Sequence, residues 1–222
     1  DEGLEPIDPP DLSPALVVVF STEALVGPIE RFPSHYRFVG PSIHLREETT
    51  PFPWDELAPV PRVLVSLGTV PAEGSARFYE TVVRAFEGAS MQAVVVAPDG
   101  AIARPTAPMI VRPFVPQLAL LSRVDAVVSH AGQNTVSESL AAGKPLVVLP
   151  IKYDQSVIAQ QVEASGVGLR LRFGRVRPDE LRAAVTRVLS EPSFRERALA
   201  AKASFERAGG AKSAADALET LA

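Results

Sequence analysis

From Arg62 onward the chain alternates short, uniformly apolar runs rich in β-branched residues with longer stretches of mixed polarity. The runs are Arg62 to Ser66, Gln92 to Ala97, Met109 to Arg112, Asp125 to Ser129, Pro145 to Leu149 and Val167 to Leu171. Strands without a polar face are buried on both sides, which predicts a parallel sheet covered by helices. After the first run Phe78, Val82 and Phe86 recur at i, i+4 and i+8, so a helix is expected from about Ser75 to Glu87 with Ser75 as its N-cap. An amphipathic helix should end at Gly143, and another should open at Asp154-Gln155. Two or three more are expected over Pro178 to Ser190, Ser193 to Arg207 and Ala211 to Leu221. The expected fold is a doubly wound α/β domain spanning residues 62–222.

Residues 1–61 follow another pattern. Only Ala15 to Phe20 and Tyr36 to Val39 read as extended, the second running into the turn-like Gly40-Pro41. Two short strands cannot bury a core alone. Prolines crowd this segment and cluster as Pro51, Pro53, Pro59 and Pro61 around Trp54, the signature of an extended linker. The segment is therefore expected to be the last strand and exit linker of a preceding domain, with a boundary near residue 61.

Composition narrows the function classes. The 222 residues include no cysteine, which excludes disulfide scaffolds and thiolate zinc sites, and only three scattered histidines, which makes a histidine-rich metal site improbable. With 22 Lys plus Arg against 26 Asp plus Glu, the net charge of −4 argues against nucleic-acid binding driven by phosphate neutralisation. The charge is uneven, acidic before residue 61 and basic between Arg170 and Lys212, and is read as solvated helix surface. No apolar run approaches the 18 residues or so that cross a bilayer, so no membrane span and a soluble, cytoplasmic protein are expected.

In a parallel doubly wound sheet, ligands lie beyond the carboxyl ends of the strands, where helix N-termini present free N–H groups. Four such exits carry candidate chemistry. The first strand runs into Ser66-Leu67-Gly68-Thr69, a tight turn with two hydroxyls and a glycine that admits close backbone approach. The third is followed by Phe114-Val115-Pro116-Gln117, an aromatic, a rigid proline and an amide suited to stacking and pairing a nucleobase. The fourth leads through His130-Ala131-Gly132 into Gln133-Asn134-Thr135 at the start of a helix, an arrangement that favours an anion. The fifth ends at Pro150, before Asp154-Gln155.

Each cluster also has an ordinary structural reading. Phe114 could be core and His130 a satisfied buried histidine. Thr135 and Glu138 have the T-x-x-E spacing of a capping box, and Asp154 is a good N-cap. Gln155 has a weaker structural reason, being too early in its helix to be needed for packing. Competing motifs fail: Gly143-Lys144 lacks the upstream glycine and the Ser or Thr of a phosphate-binding loop, since Glu138 and Pro145 stand there, and no G-x-G-x-x-G follows the first strand.

Taken in order, FVPQ, LL, D, VSHAGQNTVSESLAAGKPLVVLP, DQ and GVG from Phe114 to Gly168, together with SLGT at Ser66 to Thr69, resemble the donor-binding signature of family 1 glycosyltransferases of the GT-B fold, closest to the bacterial macrolide and antibiotic type. The resemblance implies a complete C-terminal, Rossmann-like donor domain over residues 62–222 that binds a UDP- or TDP-sugar. By that likeness Phe114 stacks on the base and the Val115 main chain pairs with it, with Gln117 beside them. Glu138 takes the ribose hydroxyls, and His130, Gly132, Gln133, Asn134 and Thr135 surround the diphosphate. Asp154 and Gln155 meet the sugar, while Ser66, Gly68 and Thr69 lie near the phosphates or base.

Phe114 replaces the tryptophan of plant members, as Gln133 does, and Ala131 replaces a more usual glycine or cysteine. The implied reaction is inverting transfer of the sugar to a hydroxyl of a small, natural-product-like acceptor, with no metal and no cofactor. The family's basic histidine belongs to the N-terminal half, and neither His35 nor His44 matches its motif. A non-catalytic nucleotide-sugar-binding module and a GT-B sugar-nucleotide epimerase are the rival readings. A homodimer is the one self-association left open.

Overall fold

A computed structural model describes residues 13–43, 48–68, 74–105 and 108–221. In chain order the elements are β1 (Val17–Val19), α1 (Glu23–Val26), β2 (Tyr36–Phe38), β3 (Arg62–Ser66), α2 (Ser75–Phe86), β4 (Gln92–Val96), β5 (Met109–Arg112), α3 (Gln117–Leu121), β6 (Ala126–Ser129), α4 (Gln133–Ala141), β7 (Leu146–Val148), α5 (Gln155–Ala164), β8 (Gly168–Arg170), α6 (Pro178–Ser190), α7 (Pro192–Ala208) and α8 (Ala211–Glu219). The six apolar runs form one parallel sheet in the order β5-β4-β3-β6-β7-β8. Chain direction across the sheet reverses between β3 and β6, which makes their carboxyl ends the topological switch point.

Alternation along the strands explains the two helical layers. Val63, Val65, Val95 and Val128 pack with Phe78 and Val82 of α2 and with Leu181 and Val185 of α6. Their neighbours Leu64, Val94 and Val127 face the other way, toward Leu120 and Leu121 of α3, Val136 and Leu140 of α4, and Ile158 of α5. Full burial of one such side chain is worth roughly 1.5 to 3 kcal/mol, so the absence of a polar face is what commits both sides of the sheet to helices.

One helix start differs from the expected one. Ser75 does not cap α2: the N-cap is Gly74, held at φ +85°, and Ser75 is already helical. A left-handed backbone at that position suits glycine, and the cap position falls one residue before the serine.

The residues before 61 are tied to this domain. β1 and β2 pair in parallel as a separate two-stranded sheet. Leu25 of α1 enters the same apolar cluster as Ala201 and Phe205 of α7, and Ser204 Oγ bonds Thr22 Oγ1 at 2.8 Å in a buried contact. The proline-rich stretch has no regular secondary structure apart from one turn of 3₁₀ helix at Trp54–Glu56. It is strapped down: Phe52 is buried in the core, the Ala58 N–H donates to Gln92 Oε1 at 2.9 Å, and Gln92 Nε2 donates to the Glu56 carbonyl at 2.9 Å. No helix among the described residues is long and apolar enough to cross a membrane.

Candidate functional site

A cleft of about 880 Å³ opens at the switch point. Of the residues singled out from the sequence, it brings together Ser66, Gly68, Phe114, Val115, Gln117, His130, Gly132, Gln133, Asn134, Thr135 and Glu138. Thr69 lies outside the described residues. Asp154 and Gln155 do not line the cleft.

The floor is built by β3 and β6, whose ends are paired at Ser66 and Ser129. After β6 the chain makes a tight corner through Ala131 at φ +66°, one of two non-glycine residues with positive φ among the described residues; the other is Tyr153, in the loop after β7. A left-handed alanine costs roughly 1 to 3 kcal/mol and persists only where its surroundings fix it. Here the corner turns α4 so that its N-terminus looks into the cleft. The N-cap is Gly132, which has no side chain to cap with, and the first intrahelical bond is that of the Val136 N–H to the Gly132 carbonyl. The N–H groups of Gln133, Asn134 and Thr135 are therefore the orphan donors of the first turn, at the positive end of the helix dipole.

This geometry removes the capping-box reading of Thr135 and Glu138. Thr135 is the third residue inside the helix and buried, and Glu138 lies nearly two turns in. Instead Gln117 Nε2 donates to Glu138 Oε2 at 2.5 Å, tying the start of α3 to α4 across the cleft. Phe114 is not core either: it is 68% exposed and stands at the cleft rim.

His130 is only 7% exposed, and its Nδ1 is enclosed without a hydrogen-bond partner among the described residues. One ring nitrogen is therefore left unsatisfied by the described residues. The ring fits because glycines flank it: a Cβ on Gly132 would lie 2.5 Å from its Nε2, and one on Gly68, itself at φ +71°, 2.7 Å from its Cε1. Burial lowers its pKa below the ordinary 6.5, and the Ser66 backbone and the Asp154 carboxylate offset this only in part.

The shift makes a pH prediction. The unfolded chain takes up the proton first, so the stability contributed by the neutral ring is complete above about 6.5 and is lost as pH falls through that value toward the lower folded pKa. Melting temperature followed downward through about pH 6.5 should fall more steeply in the unsubstituted chain than in His130→Gln. Equal slopes would remove the assignment.

Asp154 occupies the N-cap position of α5 but makes no side-chain cap, and it is exposed. Gln155 has the structural role that the sequence did not suggest: it is 5% exposed, and its Oε1 accepts from the Ile151 and Lys152 N–H groups at 2.8 and 3.0 Å. The cleft also contains residues the sequence reading missed, Ser75 and Tyr79 of α2 and Ala97-Pro98-Asp99 after β4. Tyr79 donates to the Val96 carbonyl at 3.4 Å, and burial pushes its phenol pKa up. The strand-exit rule applied to β4 finds the second group, because β4 lies next to β3 and ends on the same edge.

A doubly wound domain with its cleft at the switch point, an exposed aromatic on the rim and an uncapped helix N-terminus on the floor has the architecture of the C-terminal domain of GT-B glycosyltransferases. The chain belongs to the family described as the erythromycin biosynthesis protein CIII-like C-terminal domain, whose model matches residues 85–213. It is 33% identical over 212 residues to the NDP-glycosyltransferase YjiC of Bacillus subtilis (strain 168), covering 93% of this chain and 53% of that protein. It is likewise 33% identical over 215 residues to 4'-demethylrebeccamycin synthase of Lentzea aerocolonigenes, covering 94% and 50%. Among solved structures, the glycotransferase of kitacinnamycin superposes with a TM-score of 0.82 at 29% identity over 93% of this chain and 55% of that one. The chain thus spans about half the length of the curated relatives it matches.

Proposed function

We propose that this chain is the donor-binding half of an inverting glycosyltransferase that moves a sugar from a UDP- or TDP-sugar to a hydroxyl of a small, natural-product-like acceptor. The observation that carries the reading is the arrangement of one cleft: exposed Phe114 on the rim, Glu138 held by Gln117 in the middle, and His130 with the uncapped α4 N-terminus on the floor. A nucleoside diphosphate has the matching order of parts. Its base stacks on Phe114 and pairs with the Val115 main chain, its ribose hydroxyls donate to Glu138, and its diphosphate meets His130 and the first-turn N–H groups.

In the reaction the acceptor oxygen, deprotonated by a base supplied outside this chain, bonds to the anomeric carbon as the bond from that carbon to the diphosphate breaks. The electron pair leaves on the terminal phosphate oxygen, so negative charge grows there. Fixed N–H donors at that point stabilise the transition state more than the ground state, which is how this half contributes to rate. In this reading they do the work that a bound cation does elsewhere. Asp154, whose exposed carboxylate does not cap α5, accepts from the sugar hydroxyls; Gln155 contributes through its amide nitrogen, its oxygen being engaged.

The test is product analysis with the full-length protein and UDP- and TDP-hexoses in the presence of a panel of hydroxylated small molecules. Glycosylated acceptor with an inverted anomeric centre supports the reading. An epimerised sugar nucleotide, or binding with no turnover, contradicts it.

A further inference from the structure

α3 begins in the cleft wall with a deficiency. Its N-cap is Pro116, which has no side chain able to accept a hydrogen bond, and the helix runs only from Gln117 to Leu121. So short a helix does not hold its own first turn. Yet this turn carries the cleft residue Gln117, directly follows the cleft residue Val115, and through Gln117 holds Glu138.

The missing acceptor comes from 70 residues away. Glu48 Oε1 accepts from the Leu118 N–H at 3.0 Å, and its Oε2 accepts from the Ala119 N–H at 2.9 Å. A carboxylate spanning two N–H groups at a helix start makes charge-assisted bonds and meets the favourable end of the dipole. Glu48 is itself set in place by the strap that follows it, anchored through buried Phe52 and through the Gln92 clamp on Glu56 and Ala58.

We propose that Glu48 is a positioning residue of the donor site: it fixes the base and ribose end of the cleft from the segment that precedes the donor domain. The chain of contacts runs from the Glu48 carboxylate to the first turn of α3, from Gln117 to Glu138, and so to the ribose position. It leaves out the diphosphate end, which stands on the first turn of α4 and on His130. Glu48 thereby links the path of the interdomain strap to the shape of the nucleotide pocket. The role rests on the function proposed above.

The experiment compares the unsubstituted chain with Glu48→Ala and Glu48→Gln. UDP and TDP affinities are measured by calorimetry, and amide exchange is read at Leu118 and Ala119 and along α4. In Glu48→Ala affinity should fall on the order of tenfold, exchange at Leu118 and Ala119 should quicken, and α4 protection should stay unchanged. Glutamine keeps one acceptor oxygen and should recover most of the affinity.

Equal affinity in the unsubstituted and alanine chains overturns the proposal, as does loss of protection in α4 alongside α3, which marks a merely structural contact. An unsubstituted chain that binds neither nucleotide defeats the function reading itself. That outcome is visible before any variant is compared, and the positioning role falls with it.

Discussion

Alanine in place of Glu138 is expected to lower nucleoside diphosphate affinity by between ten- and a hundredfold while leaving the melting temperature within a few degrees, on the basis that each hydrogen bond to a charged group contributes roughly 1.5 to 3 kcal/mol. The separation of the two readouts follows from where the residue stands. The α4 N-cap is Gly132, so the Glu138 carboxylate does no capping, and its bond to Gln117 crosses the cleft instead of closing the helix. The sugar hydroxyls, two on the ribose of UDP and one on the deoxyribose of TDP, lose with the carboxylate most of what orients that end of the nucleotide. His130→Ala should also weaken binding with little change in fold, since it removes a ring whose Nδ1 has no partner among the described residues. Loss of helix content in step with affinity in both variants would instead revive the capping explanation.

Gly168→Ala is expected to cost about 3 kcal/mol or more of stability and to lower the melting temperature by roughly 6 to 12 °C, taking overpacking costs and the scaling for a chain of this size. Gly168 opens β8 and pairs with Leu146 of β7. A Cβ there would collide with the Leu146 carbonyl oxygen and would also lie 2.9 Å from Val162 Cγ1. Backbone on a paired strand cannot yield as a flexible side chain would, so the edge of the sheet must shift. Gly174 serves as the control, because a Cβ added there meets nothing within 4 Å. Alanine at 174 should leave the melting temperature unchanged or slightly raised. A Gly168→Ala chain as stable as the Gly174→Ala chain would contradict the packing account.

The two variants divide along a line that also separates what the sequence makes legible from what it hides. The sheet is legible because burial on both faces leaves a mark on every strand: β3 and β5 span the residues expected, and the others lose only one or two at their ends. Helix starts are less so. Ser75 and the Thr135–Glu138 spacing are good caps by residue type, yet the chain enters α2 and α4 through Gly74 and Gly132, because the turn before each helix is set by backbone conformation and by the room His130 needs. The structural role of Gln155 is hidden for a similar reason: its amide holds the loop before α5, a contact of three and four residues that no periodicity reveals.

The candidate site was readable where its residues follow strands in sequence and unreadable where tertiary contacts assemble it. Ala97-Pro98-Asp99 follows β4 as plainly as Phe114 follows β5, and the same rule reaches it. Tyr79 and Ser75 arrive from a helix face that the apolar spacing assigns to the core, and Tyr79 is indeed both buried and in the cleft wall. Glu48 carries no local signal. It lies in a segment whose prolines speak only of extension, and its partners are the backbone of a helix too short to show in the pattern.

On this account the cleft between β3 and β6 holds a nucleoside diphosphate within this chain, the segment around Glu48 included. Calorimetric titration of this chain with UDP and with TDP in one buffer tests it most directly. Saturable binding of one or both at a single site, abolished or strongly weakened in His130→Ala and Glu138→Ala, is the result expected. No heat of binding with either nucleotide, or binding that both variants retain in full, would contradict it.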